Sequence, residues 1–132
     1  MYSKMMTGTM MNILVVEDSP TILYTLEREL AGHGHQVITA TDGEQALQMA
    51  FEGHPDIILL DLILPKINGY QVCRQLKSNP GTASIPVVML TSKDKDKDRH
   101  WGLEQGADGY LTKPVSSDDL LAAISQFVSS NG

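Results

Sequence analysis

A chain of 132 residues is long enough to bury one real core and too short for two ordinary domains. Its 42% hydrophobic and 20% charged residues give a globular rather than disordered composition, and no apolar run approaches the roughly 20 residues that span a bilayer. The net charge of −6 disfavours an unassisted grip on nucleic-acid phosphate or an anionic membrane, and makes a cation or a protein the expected partner.

The opening residues, MYSKMMTGTM, follow neither structural period and lack the continuous apolar stretch of a secretory signal. Residues 1–10 therefore read as a flexible N-terminal extension. Cys73 is the sole cysteine, which rules out an intrachain disulfide, and the expected compartment is cytoplasmic.

The first strand is expected over 13–16 and is followed at once by Glu17 and Asp18. Pro20 suits a first helical turn, with Ser19 or Asp18 as cap. That helix turns Ile22, Leu23, Leu26 and Leu30 inward and stops at Gly32 or Gly34. His33 and His35 flank Gly34, where an exposed turn is favoured over a metal pair for want of further ligands. A second strand over 37–40 leads to a helix from about Gly43, with Ala46, Leu47 and Ala50 on one face and a stop at Gly53-His54-Pro55.

The third strand, 57–60, runs into Asp61, a lone carboxylate with apolar residues on both sides. Charge is seldom placed so unless it is paired, coordinated or chemically used. The next helix follows Gly69, carries Val72, Cys73 and Leu76, and ends before Asn79-Pro80-Gly81; Cys73 reads as packing rather than as a redox sensor. A fourth strand over 87–90 delivers Thr91. A fourth helix is expected between Asp94 and Gln105, closed by Gly106. Its sign-alternating start, which includes Lys93 and Arg99, reads as a solvated surface or as a charged rim for a partner. Trp101 lies about 200° around that helix from Leu103, so it either folds over a neighbouring loop or stands partly exposed as an interface anchor. The last strand, around Tyr110 and Leu111, ends in Thr112 and Lys113. A final helix over 116–128 follows, with Leu120, Leu121, Ile124 and Phe127 as its buried stripe.

Strand and helix alternate five times, which implies an α/β fold with a parallel sheet covered on both faces. Parallel strands bring their carboxyl ends to one edge, the edge where open α/β sheets bind ligands. Glu17, Asp18, Asp61, Thr91 and Lys113 therefore converge. Three carboxylates about 5 Å apart repel by roughly 3 kcal/mol per pair at an effective dielectric near 20. Either they protonate or a cation sits among them, and all-oxygen ligands with room for water and phosphate suit Mg²⁺. A carboxylate such as Asp61 can then attack an electrophilic phosphorus while Lys113 neutralises the transferring oxygens.

The segments VVEDS, DLILPKING, MLTSK and GYLTKPV, in this order and at these intervals, resemble the receiver domain of two-component response regulators over residues 11 to about 129. The resemblance implies a flavodoxin-like receiver fold, doubly wound with five parallel strands in the order 2-1-3-4-5, for a domain at 11–132. It implies Asp61 as phosphoacceptor, Asp18 as direct Mg²⁺ ligand, Glu17 acting through a metal-bound water, and the Ile63 backbone carbonyl as a further ligand. Thr91 corresponds to the switch hydroxyl, Lys113 to the phosphoryl-pairing cation, Tyr110 to the aromatic that moves with Thr91, and Lys113-Pro114 to a cis peptide. Ile63 and Lys93 flank the site in this family and influence phosphoryl lifetime. A phosphohistidine of a histidine kinase or phosphotransfer protein is the implied donor. A downstream protein, met through the face of helix four, strand five and helix five, is the implied target, with the chain a monomer or a phosphorylation-dependent homodimer.

The segment WGLEQGADGYLTKPV is similar to stand-alone receivers of the chemotaxis-like systems of type IV pilus twitching motility. A phosphatase resembling the haloacid dehalogenases would carry a second acid where Ile63 stands, and a degenerate scaffold would not keep Glu17, Asp18, Asp61, Thr91 and Lys113. Residues 12–16 do not lead into a glycine-rich phosphate loop, which argues against a flavin- or nucleotide-binding protein of similar fold. No small-molecule turnover is expected.

Overall fold

The computed structural model describes residues 10–92 and 105–131. Strands β1 (Asn12–Val16), β2 (Gln36–Ala40), β3 (Ile57–Asp61), β4 (Val87–Thr91) and β5 (Gly109–Thr112) form one parallel sheet in the order β2-β1-β3-β4-β5. Helices α1 (Pro20–Gly32), α2 (Gly43–Gly53), α3 (Gly69–Ser78) and α4 (Ser117–Asn131) cover it. This is the doubly wound arrangement expected from the sequence. Of the helix expected at 94–105, residues 94–104 lie outside the described residues, as does all of the N-terminal extension but the exposed Met10.

The strands are apolar on both sides because both faces are roofed. Leu14, Val16, Ile58, Leu60, Val87 and Met89 point to the face under α2 and α3, where Ala46, Ala50, Val72, Cys73 and Leu76 meet them. Ile13, Val15, Ile57, Leu59, Val88 and Leu90 point to the face under α1 and α4, against Leu26, Leu30, Leu120 and Ile124. The period-2 alternation of strand side chains thus sorts one run of residues into two cores.

Helix starts follow the expected chemistry. The Ser19 side chain accepts from the Ile22 amide with Pro20 in the first turn; Asp42 caps α2, and Asn68 and Gln71 form a reciprocal capping box on α3. Helix α4 is capped by Ser116, whose hydroxyl accepts from the Asp119 amide at 3.1 Å. The expected stripe of α4 needs correction at two positions: Leu120 and Ile124 are buried, but Leu121, 100° around from Leu120, and Phe127, which packs against the same core, are only half-buried. Cys73 is buried, and burial pushes its thiol up to about 11, in keeping with packing. Among the described residues no helix is long and apolar enough to cross a membrane.

At the opposite edge from the strand carboxyl ends, His35 does more than turn the chain. Its Nδ1 accepts the Met11 amide at 3.1 Å, beside the Asp56 carboxylate that accepts from Asn12 at 2.7 Å. Desolvation, and then His33, hold the His35 imidazole below its ordinary value of 6.5. The fold therefore favours neutral His35, and the stability this contributes is lost as pH falls from 6.5 through the lowered folded value. In thermal melts between pH 7.5 and 5.5, the wild type is expected to lose this increment relative to His35→Gln. Parallel pH curves for the two proteins would refute it.

Candidate functional site

The chain leaves β1 for β2 on one side and later crosses to β3 on the other, so the strand order reverses between β1 and β3. Ligand crevices of open α/β sheets form outside the strand carboxyl ends at that reversal. Glu17 and Asp18 follow β1 directly, and Asp61 ends β3 beside it. One oxygen from each of Glu17, Asp18 and Asp61 lies within 4.8 Å of the others. On the far side, Thr91 ends β4 and Lys113 follows β5, with the Lys113 amide donating to the Thr91 carbonyl at 2.6 Å.

Burial differs sharply within this group. Glu17 is 1% exposed, Asp61 5% and Thr91 1%, whereas Asp18 stands open to solvent. Buried carboxylates require partners, and Glu17 has them. Its Oε1 accepts from Lys113 Nζ at 2.5 Å and its Oε2 from the Ser19 amide at 3.1 Å. The same Lys113 Nζ lies 3.1 Å from Asp61 Oδ1, and the Ile63 amide also donates to the Asp61 carboxylate.

These contacts leave the charge unbalanced. Burial first, and the Glu17 carboxylate second, push the Asp61 carboxyl up to about 6, which Lys113 only partly offsets. Burial pulls the Lys113 amine down, but its hydrogen bonds to Glu17 and Asp61 outweigh that and leave it above its ordinary value. Three carboxylates against one ammonium leave net negative charge in a crevice whose donors are all oxygen and whose Asp18 side is open. That donor set fits a hard divalent cation retaining several waters. Among the described residues this is the only group of three or more His, Cys, Asp or Glu able to hold a metal ion.

The structure thus brings together Glu17, Asp18, Asp61, Thr91 and Lys113. The Lys113-Pro114 peptide is cis, and Tyr110 lies half-buried on β5 opposite Met89. Ile63 contributes its amide, and its side chain is 58% exposed between buried Leu62 and Leu64. Lys93, Arg99 and Trp101 lie outside the described residues.

Sequence reasoning passes over two features. Gly69 reads there only as a helix start, yet a Cβ on it would lie 2.4 Å from the Asp61 carbonyl oxygen and 2.8 Å from Leu62 Cα. Helix α3 is packed directly against the backbone that carries Asp61. The second is an apolar groove of about 420 Å³ between α1 and the segment after β5, lined by Ile22, Leu26, Leu90, Pro114 and Val115 and reaching Lys113. The former shows only in the fold, because the atoms that crowd Gly69 belong to the end of β3 and the residue after it. Nothing local signals the latter, because its walls come from distant parts of the chain.

A family model described as "Response regulator receiver domain" matches residues 13–125. Protein PilH of Pseudomonas aeruginosa is 45% identical over 115 residues, which cover 87% of this chain and 95% of PilH. Protein PilG of the same organism is 44% identical over 120 residues, 91% of this chain and 89% of PilG. The crystal structure of the receiver domain of sensor histidine kinase PA1611 from Pseudomonas aeruginosa, with a magnesium ion coordinated in its active-site cleft, superposes with a TM-score of 0.85 at 30% identity, covering 92% of this chain and 99% of that one.

Proposed function

The chain belongs to the response regulator receiver domain family, and from that premise we propose that it is a signalling module switched by phosphorylation of Asp61. The observation that carries this reading is the meeting of three acids, a buried hydroxyl and Lys113 at the sheet's reversal point. An oxygen of the Asp61 carboxylate forms the new O–P bond as the N–P bond of a partner's phosphohistidine breaks. The departing imidazole nitrogen keeps the bonding pair and takes a proton.

Glu17, Asp18, Asp61 and the Ile63 carbonyl are the groups that would hold Mg²⁺, which when bound supplies positive charge to the transferring phosphoryl oxygens. Asp18, open to solvent, would be the direct ligand. Glu17, already engaged with Lys113 and Ser19, would act through water. Lys113 is close enough to Asp61 to turn from carboxylate to phosphoryl oxygen without leaving the site. The Thr91 hydroxyl pairs with another phosphoryl oxygen, and Tyr110 follows Thr91 inward. That movement repacks the face of β5 and α4 together with the helix expected at 94–105, whose sequence includes Arg99 and Trp101 and is preceded by Lys93. A downstream protein reads the repacked face, as a partner of a monomer or of a phosphorylation-dependent homodimer. The groove beside Lys113 suits a helix of the phosphohistidine donor, a histidine kinase or phosphotransfer protein.

The receiver unit spans 11–132, residues 1–10 are an extension, and the setting is cytoplasmic. The similarity to PilH and PilG, added to that of WGLEQGADGYLTKPV, supports a chemotaxis-like motility system. The chemistry is confined to the chain's own phosphorylation and dephosphorylation. The test is to incubate the full chain with a small phosphoryl donor such as acetyl phosphate, with and without Mg²⁺. A gain of one hydroxylamine-labile phosphoryl group, Mg²⁺-dependent and mapped to Asp61, is expected. Its absence, or a phosphoryl group on another residue, would overturn the assignment.

A further inference from the structure

The loop between β3 and α3, residues 62–68, is docked on the first turn of α2, and nothing in the phosphoryl chemistry above uses that contact. The Gly43 amide donates to the Pro65 carbonyl at 3.4 Å and the Ile67 amide to the same carbonyl at 2.8 Å. A Cβ on Gly43 would lie 2.4 Å from the Ile67 carbonyl oxygen and 2.8 Å from Ile67 Cβ, so only glycine allows this approach. Between these points Lys66 has φ +69°, a left-handed conformation that a non-glycine residue adopts at a cost. Its Nζ reaches back across the gap to Asp42 Oδ2 at 3.6 Å and Glu44 Oε1 at 3.4 Å. Asp42 is the cap of α2 and Glu44 lies in its first turn, so the ammonium ties the loop to the helix start.

Ile63 lies in the loop so tied, and its backbone already touches Asp61 through the amide. Resting on the reading that Glu17, Asp18, Asp61 and the Ile63 carbonyl take a divalent cation, we propose that Lys66 is a positioning residue for that cation. By fastening the loop to α2 it keeps the Ile63 carbonyl in ligating position before the cation arrives, so that the ordering of the loop need not be met at binding.

Charge separates this role from a mere surface ion pair. Acting through its field alone, a lysine near the site repels a cation, so its removal would tighten Mg²⁺ binding. Acting as a fastener, its removal loosens the loop and weakens binding. Calorimetric titration of the full chain with Mg²⁺ is expected to give about threefold weaker binding for Lys66→Met, the scale of an exposed ion pair, and near-wild-type binding for Lys66→Arg. Hydrogen exchange without Mg²⁺ should show faster exchange of the Gly43 and Ile67 amides in Lys66→Met, and their protection restored in Lys66→Arg. Equal or tighter Mg²⁺ binding by Lys66→Met, or unchanged exchange at both amides, overturns the positioning role. A wild type that binds no Mg²⁺ overturns the cation reading beneath it.

Discussion

Asp61→Asn is expected to abolish phosphoryl acceptance and, without Mg²⁺ at pH 7.5, to make the fold more stable than the wild type. The amide has nearly the same shape but no nucleophilic anion, so the O–P bond cannot form. The gain in stability comes from the charge removed. Because burial and Glu17 raise the folded carboxyl from 3.8 to about 6, the folded chain binds a proton more readily than the unfolded chain between those values. The contribution of Asp61 to stability is therefore most favourable at the acid end and falls as pH rises from 3.8 through about 6. The full shift corresponds to about 3 kcal/mol; discounted for solvent at this open edge, about 1–2 kcal/mol remains, or several degrees in melting temperature. Melts of both proteins from pH 4 to 7.5 should diverge as pH rises, and added Mg²⁺ should stabilise the wild type selectively. A variant that is less stable than wild type at pH 7.5, or that gains a hydroxylamine-labile phosphoryl group, would contradict this account.

Gly69→Ala is expected to carry a large structural cost. Its added methyl would meet the Asp61 carbonyl oxygen at 2.4 Å, Leu62 Cα at 2.8 Å and the Leu62 carbonyl oxygen at 3.1 Å, all of them backbone atoms that cannot rotate away. The Gly69 amide also donates to the Leu62 carbonyl at 2.8 Å, so relief of the clash strains that bond. A destabilisation of about 3 kcal/mol is expected from overpacking at a buried contact. Since the displaced backbone carries Asp61, Mg²⁺ binding should weaken along with the fold. Gly32→Ala is the matched control, because nothing lies within 4 Å of its added methyl. Urea unfolding of the two variants should show a large loss for the first and a change below about 0.5 kcal/mol for the second. Comparable midpoints would refute the claim that α3 braces the Asp61 backbone.

Much of the fold, and most of the residues gathered at the candidate site, are legible in the sequence for one reason. Each central strand is an apolar run that stops at a polar residue: Val16 before Glu17, Leu60 before Asp61, Leu90 before Thr91. A parallel sheet aligns those stops, so strand period alone gathers them. The loop at 62–68 is not legible in that way. Lys66 looks like any surface lysine until its left-handed backbone and its reach to Asp42 and Glu44 are seen. Gly43 and Gly69 look like ordinary helix starts, because the carbonyls that forbid a side chain there come from the loop, not from their own helices. Leu121 is misplaced for a simpler reason: it lies 100° around α4 from the buried Leu120, toward the margin of the face that meets the sheet.

The ion pair between Lys113 and Glu17 joins positions 96 residues apart, from the last strand of the sheet to the end of the first. During synthesis the acids emerge long before the lysine that balances them. A chain halted before β5 would carry the carboxylates without the Lys113 counter-charge and without the last strand to close the crevice. The crevice is thereby complete only in molecules finished through Lys113, whose ammonium closes it over the acids.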